Sequence, residues 1–366
     1  MKIKAAVCRE LLQPLVLEEV DLADPQDDEV LVRIAGCGIC HTDIIAQENG
    51  WGGMNPMPMI FGHEGSGIIE KIGPGVKDFA VGDHVVISYP YCGECVMCKS
   101  GQPQNCINNW ALVFSGLRKD GTSPISKDGE TIHYFFGQSS FATFSITSVR
   151  NIVKVDQDID LAMLGPLGCG MMTGAGTLFN KLKPAPNSSI VIFGAGGVGL
   201  SSVMAAKICN CKTIIVVDVV ENRLKLALDL GATHVINAKS ISDVPNEVVK
   251  IIGQGADYMV ETTGLESTTK DAIHSLGFGG EGALVAVANH VEFDNFYMSI
   301  YGKKLHTITM GEAITQEIIP KLIDLYKRGL FPFDKLIKYY EFENINQALA
   351  DAKSGAVIKP VLKMNS

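Results

Sequence analysis

No block of lysine or arginine occurs anywhere in this chain. Its 31 basic residues are outnumbered by 40 acidic ones, a net charge of −9. That balance excludes nucleic acid as an expected partner. No secretory apolar region follows the opening run Met1-Lys2-Ile3-Lys4-Ala5-Ala6-Val7, which passes directly into a β-like pattern. A cytoplasmic setting is therefore the expectation. Internal repeats and low-complexity linkers are absent too. Two stretches lack charge altogether, residues 161–180 and 190–206, and both are long enough to be weighed as membrane spans. Both are rich in glycine and the first carries Pro166, so buried segments of a globular protein are the better reading. No membrane partner is expected.

What is present fits a globular protein. A chain of 366 residues accommodates two domains with full cores, and 46% hydrophobic with 19% charged residues is not a disordered composition. Ten cysteines without an export signal point to metal or catalysis, not to a disulfide framework.

The stretch 194–218 organises the rest. Gly194-Ala195-Gly196-Gly197-Val198-Gly199 follows the apolar run Ile190-Val191-Ile192-Phe193 and opens a helical pattern over 200–209. A second strand-like run, 213–217, ends in Asp218. The first glycine allows a tight turn, the second lets the backbone approach a pyrophosphate, and the third lets helix and strand pack closely. The helix N-terminus offers N–H groups to the phosphates. Asp218 would accept the ribose hydroxyls and repel a 2′-phosphate, which favours NAD over NADP.

Residues 1 to about 150 carry β signals at 3–7, 15–19, 30–35, 68–72, 84–87 and 141–146, separated by Gly, Pro and acidic turns. From about 161 the rhythm changes. Helices are predicted at 221–230, 244–252 and 267–276, and strands at 234–237, 258–261 and 283–288. The fold class is α/β: an irregular, mostly-β domain plus a doubly wound parallel sheet. Amphipathic helices are predicted at 315–328 and near 345–353, in a tail that resembles neither half.

Cys92-x2-Cys95-x2-Cys98-x7-Cys106 places four thiols within fifteen residues. That spacing suits one closed, tetrahedral, structural zinc better than a redox dithiol. A second set is dispersed: Cys40 in Cys37-Gly38-Ile39-Cys40-His41-Thr42-Asp43, His63-Glu64 after Gly62, and Cys169 between two glycines. Two thiolates, an imidazole and a vacant position would make a catalytic zinc site. Spacing alone leaves alternatives open: Cys37 and Cys40 as a redox pair, and His63 as an ordinary core histidine.

Taken together, these motifs resemble the zinc-dependent alcohol dehydrogenases of the medium-chain dehydrogenase/reductase superfamily. That family carries a Cys-x-Thr/Ser-Asp segment and a Gly-His-Glu-x2-Gly-x5-Gly segment, matched here by Gly62, His63, Glu64, Gly67 and Gly73. The four-cysteine lobe, a later Gly-Cys, the glycine fingerprint and its terminal acid follow in the same order. The resemblance covers essentially the whole chain. It implies a GroES-like catalytic domain over 1–170 and 314–366, and a Rossmann NAD-binding domain over 171–313. It implies two zinc ions per subunit, one held by Cys40, His63 and Cys169, the other by Cys92, Cys95, Cys98 and Cys106. Glu64 would sit behind the metal, and Asp43 would orient the imidazole of His63. Thr42 would hydrogen-bond the alcohol oxygen and start a proton relay. Arg223 would contact the adenosine ribose and Lys359 the pyrophosphate, and Val287 is carried over as a further cofactor contact.

One departure from well-known liver-type members affects the relay. Two residues after the conserved aspartate they have a histidine that ends it, and Ile45 stands there in this chain. His41 occupies a slot where many members place a phosphate-binding arginine, so it is the candidate base as well as a cofactor contact. The Gly-Ile-Cys-His-Thr-Asp run resembles the aryl (benzyl) alcohol dehydrogenase branch, which implies oxidation of aromatic or allylic primary alcohols to aldehydes. Trp51, Met54, Met57 and Met59, or Tyr89-Pro90-Tyr91, could wall an apolar pocket, or belong to the core. The segment 117–130, read as a polar loop, resembles the insertion of dimeric members. A homodimer is expected, with a homotetramer as the alternative. Rival substrates are terpenoid alcohols such as geraniol, short-chain alcohols, polyols and the glutathione adduct of formaldehyde. A rival of another class is a non-catalytic NAD- or zinc-binding protein, disfavoured by retention of all three candidate ligands with Thr42. Cys8, Cys37, Cys209 and Cys211 are read as small buried hydrophobes, and His84 as part of a turn and strand start.

Overall fold

The computed structural model describes residues 1–286 and 290–364, so the contact carried over to Val287 lies outside the described residues. Two compact units are present. The first comprises Met1–Cys169, Ile314–Pro320 and the chain from Asp334 onward; the second comprises Gly170–Ala313 and Lys321–Phe333.

In the first unit, the strands Lys2–Cys8, Val16–Leu22, Ile125–Lys127, Glu130–Tyr134 and Met59–Ile60 close into a small barrel. The segment 117–130 is thus not simply a loop, because part of it supplies a barrel strand. A second sheet is built around the strand Glu29–Gly38. Its run Val30-Leu31-Val32 is buried residue after residue, as expected of a strand covered on both faces. Glu64–Ile72, Phe144–Ser148 and Lys359–Lys363 all pair with it antiparallel. The register sets Gly38 opposite Glu64 and Cys37 opposite Gly65. Gly38 is required there: a Cβ would lie 2.1 Å from Glu64 Oε2. Phe61, Phe135 and Phe141, each 1% exposed or less, anchor the core, each contributing about 1.5–3 kcal/mol by burial.

Of the tail that resembled neither half, Ile314–Pro320 and the chain from Asp334 onward belong to this unit, whereas Lys321–Phe333, expected within the catalytic domain, groups with the second unit. Ile337–Glu341 pairs parallel with Lys359–Lys363, and the helix Ile345–Ser354 lies between them in sequence. Short length and interspersed Lys and Tyr hid both strands from pattern reading.

The second unit holds six parallel strands. Across the sheet they stand in the order His234–Asn237, Thr213–Asp218, Ser189–Phe193, Ala256–Glu261, Leu276–Leu284, Lys304–Thr307. The strands therefore run third, second, first, fourth, fifth and sixth, which is the dinucleotide-binding order. Helices Gly197–Ile208, Glu221–Leu230, Val244–Ile252 and Glu266–Ser275 alternate with them. One strand differs from its expected span of 283–288: it begins at Leu276, and residues 287 and 288 lie outside the described set. The cause is packing. Gly282 faces Met259 Cε and Leu305 Cδ2, which a Cβ would approach to 2.7 and 2.9 Å. The glycines that permit this closeness carry no β signal.

Among the described residues no single helix is long and apolar enough to cross a membrane. Residues 161–180 divide among short helices, and 190–206 become the end of a strand and a helix.

Candidate active site

The helix His41–Gly53 starts at Cys40, and Asp43 in its first turn does more than cap it. Asp43 Oδ2 accepts from the backbone N–H of Cys40 at 3.0 Å, while Oδ1 accepts from the N–H of Gly62 at 3.1 Å. The same Oδ1 stands 2.8 Å from His63 Nδ1. One buried carboxylate thus ties the helix start to the His63 segment. With Nδ1–H turned to Asp43, the lone pair of Nε2 faces inward. His63 Nε2 is buried and finds no hydrogen-bond partner.

What Nε2 faces is a ligand set. Donor atoms of Cys40, His63, Glu64 and Cys169 all lie within 4.8 Å of one another. Cys169 follows a short helical turn, Gly165–Gly168, that brings it beside the other two segments. A hydrogen bond from Cys169, aided against burial by His63, drives the Cys40 thiol well below its usual range, and Cys169 is pushed up in turn. Burial opposes charge on His63, but Asp43 and Cys40 outweigh it and raise the imidazole. Two sulfurs and an orphaned imidazole nitrogen are the donor chemistry of a zinc site with an open position.

Glu64 has a second partner. Lys359 Nζ donates to Glu64 Oε1 and Oε2 at 2.9 and 2.8 Å and to the carbonyl of Ile39 at 3.1 Å. The ammonium has three donors, and all three are engaged within the first unit at 4% exposure. The pyrophosphate contact expected of Lys359 is therefore not what its surroundings favour. Burial opposes its charge, but Glu64 and the Cys40 sulfur keep it protonated.

The four-cysteine lobe is compact. Cys95 Sγ lies 3.4 Å from Cys98 Sγ and 3.9 Å from Cys106 Sγ, and Cys92 Sγ lies 3.9 Å from Cys98 Sγ. A zinc tetrahedron with 2.3 Å bonds has sulfur–sulfur edges of about 3.8 Å, so the group fits. Backbone N–H groups of Cys92, Cys95 and Cys98 point at sulfurs of the same cluster, a further match to thiolates. Tyr91, a candidate pocket wall, packs against this lobe instead. All ten cysteines are free, and the four left without a role include fully buried Cys8 and Cys37.

In the second unit, Gly194 adopts φ +94° and Gly199 packs so closely that a Cβ would sit 1.8 Å from Gly194 O. Gly196 by contrast faces open space, as a backbone that must admit a phosphate would. Gly197 and Val198 are half-buried at the start of the helix. Asp218 Oδ2 accepts from the N–H of Ala195 at 2.6 Å, and Oδ1 accepts from Val219 and Val220 at 2.7 and 2.8 Å. Those three bonds leave about one of a carboxylate's four lone-pair sites. Arg223 is half-buried in the first turn of the next helix, Glu221–Leu230. His41 is exposed and Thr42 half-buried, both in the turn that follows Cys40.

Sequence reasoning missed an aromatic series that starts at His63. Its imidazole lies 4.7 Å from the ring of Phe136, which lies 6.4 Å from Phe114. Phe114 meets Trp51 at 5.7 Å and Trp110 at 4.8 Å, and Trp110 is exposed. The paired Phe135-Phe136 was the available signal. Of the four residues proposed as a wall, only Trp51 joins the series; Met59 is fully buried in the core, while Met54 and Met57 are half-buried.

Fold and donor sets together define a metal-binding, nicotinamide-dependent dehydrogenase. The alcohol dehydrogenase GroES-like domain family matches residues 26–157 and the zinc-binding dehydrogenase family matches residues 197–328. The chain belongs to the zinc-dependent, NAD-using medium-chain alcohol dehydrogenases, close to the benzyl alcohol dehydrogenases. It is 40% identical over 364 residues to the geraniol dehydrogenase of Castellaniella defragrans, covering 98% of this chain and 97% of the relative. The crystal structure of benzyl alcohol dehydrogenase from Acinetobacter calcoaceticus is 42% identical, with TM-score 0.95 and 100% coverage of both chains. An alcohol dehydrogenase zinc-binding domain protein from Burkholderia ambifaria matches at TM-score 0.97, 42% identity and the same coverage.

Proposed function

We propose that this alcohol dehydrogenase acts on aromatic primary alcohols, oxidising them reversibly to aldehydes with NAD. The aromatic series from His63 through Phe136 and Phe114 to Trp51 and Trp110 carries this reading. Ring faces and edges favour an aromatic guest by about 0.5–1.5 kcal/mol per contact beyond area burial. Likeness to a benzyl alcohol dehydrogenase supports it. Likeness to a geraniol dehydrogenase supports a second reading, an allylic terpenoid alcohol.

In this reading Cys40, Cys169 and His63 hold the catalytic zinc, and Cys92, Cys95, Cys98 and Cys106 hold a structural one. When bound, the catalytic zinc supplies Lewis-acid polarisation of the alcohol oxygen, and NAD supplies the hydride acceptor. The protein's own groups do the rest. Asp43 fixes the tautomer that presents His63 Nε2, and Lys359 neutralises Glu64 beside the ligands. Thr42 Oγ1 takes the alcohol's proton and hands it toward His41, whose exposed imidazole releases it to water. Gly194, Gly196, Gly197, Val198 and Gly199 receive the pyrophosphate. Asp218 accepts a ribose hydroxyl, and Arg223 lies beside the adenosine.

The homodimer is supported by an apolar patch on the second unit: Phe278, Phe293, Phe296 and Ile300 are all more than half exposed. Among the described residues the last strand of the sheet, Lys304–Thr307, pairs on one side only, with Leu276–Leu284.

The test is NADH formation with benzyl alcohol, geraniol and ethanol at matched concentrations. A kcat/KM for benzyl alcohol roughly a hundredfold above that for ethanol, about 2.7 kcal/mol, supports an aromatic pocket. Geraniol ahead of benzyl alcohol would move the assignment to the allylic branch, and ethanol ahead of both would sink it.

A further inference from the structure

Gln138 is 1% exposed, distant in sequence from every candidate ligand, and fully satisfied. Its Nε2 donates to the backbone carbonyl of His63 at 3.0 Å and to that of Ser88 at 3.2 Å. Its Oε1 accepts from the N–H of Gly65 at 3.3 Å and from Ser140 Oγ at 2.7 Å. A primary amide has two N–H donors and two acceptor lone pairs, and every one is used. Ser88 extends the chain: its hydroxyl donates to the carbonyl of Gly168 at 2.6 Å. That peptide leads directly into Cys169.

We propose that Gln138, acting through Ser88, is a positioning residue for the catalytic metal, locking the two ligand segments that Asp43 does not join. This rests on the reading that Cys40, His63 and Cys169 hold a zinc. Asp43 ties Cys40 to the side chain of His63. The Gln138 amide grips the backbone on both sides of Glu64, at the His63 carbonyl and the Gly65 N–H. Through Ser88 it fixes the approach to Cys169. The site is thus braced by a carboxylate on one side and an amide–hydroxyl chain on the other.

The space around the amide is as constrained as its bonding. A Cβ on Gly65 would lie 2.2 Å from Ser140 Oγ and 3.2 Å from Gln138 Oε1, and one on Gly168 would lie 2.2 Å from Ile87 O. The glycines before and after the ligands let the brace close. The Gln138 backbone is fixed too, since its N–H donates to Phe135 O at 3.0 Å and its carbonyl accepts from Ser145 Oγ. A side chain held at both ends cannot swing away. Removing the amide takes this donor from the His63 carbonyl, a buried acceptor whose loss of its partner is costly.

Supporting groups of this kind alter metal affinity by about 10–100-fold, and that is the size expected here. The experiment uses the purified full-length protein, its zinc content, and release of zinc to the chromogenic chelator 4-(2-pyridylazo)resorcinol. The variants are Gln138→Met and Ser88→Ala. Wild type is expected to hold two zincs per chain and Cys169→Ser one; any other count overturns the ligand assignment itself, separately from the brace. Given that assignment, Gln138→Met should release one zinc about 10–100-fold more readily while the other, in the four-cysteine lobe, leaves as in wild type. Ser88→Ala deletes a single hydroxyl and should weaken the same zinc by a smaller factor. Cobalt substituted at that site gives a second readout: its visible d–d bands should shift in both variants, which a loss of general stability would not produce. Wild-type release and unshifted cobalt bands in Ser88→Ala overturn the proposal, even if Gln138→Met fails to fold. Simultaneous loss of both zincs in Ser88→Ala overturns it as well.

Discussion

Asp43 and Thr42 sit side by side at the start of one helix, Asp43 bonded to His63 and Thr42 proposed to act on the alcohol. Thr42→Val keeps shape and removes the hydroxyl. It should lower kcat by roughly 10²–10⁴, the range for a positioned proton acceptor, while Thr42→Ser retains most activity; steady-state rates at saturating NAD, with two zincs confirmed per chain, check this. Asp218 differs, because its carboxylate also holds the glycine turn through Ala195. Asp218→Ala should raise the ratio of NADP to NAD kcat/KM by about tenfold or more and also weaken NAD binding, both readable from paired cofactor titrations. Candidates of this kind stand out in a sequence because metal ligation and phosphate approach admit few residue types. The bonds of Gln138 and the pairing of Lys359 with Glu64 do not. Their chemistry depends on segments 75 and 295 positions away, which no local pattern encodes.

Elements divide along the same line. The helices Glu221–Leu230 and Val244–Ile252 and the strand His234–Asn237 stand at the bounds that periodicity and caps indicated. Where close packing demanded glycine, as in Leu276–Leu284, the pattern failed. The cysteine lobe is an element without regular structure: one four-residue helix, one turn of 3-10 helix, and sulfurs in contact. Such a small element has too little apolar area to fold without its metal. Cys106→Ser should therefore remove one zinc per chain and lower the melting temperature by about 5 °C or more, measured by metal analysis and calorimetry. The glycine loop and NAD binding should survive, because they belong to the other unit.

For the whole molecule, the change of rhythm near residue 161 pointed to two architectures, and that the chain returns to the first after building the second came only from the family resemblance, not from any local pattern. The apolar patch on the second unit carries the prediction at this scale. Phe296→Asp combined with Ile300→Asp should convert the proposed dimer to monomer, weakening association by about thirtyfold or more, roughly 2 kcal/mol; light scattering with size-exclusion chromatography reads the mass directly. The buried Lys359–Glu64 pair has a further consequence, in the order of assembly. Glu64 is made early and its counter-charge arrives only on the strand Lys359–Lys363, after the whole dinucleotide fold has been made. Closing a loop of that length is slow compared with local pairing. A nascent chain stopped short of Lys359 would leave Glu64 with no cation to meet it, and burial, which already pushes its carboxyl up, would favour the protonated form. A chain ending before Lys359 is therefore expected to lack one wall of the site and to be cut faster than the full-length protein in limited proteolysis.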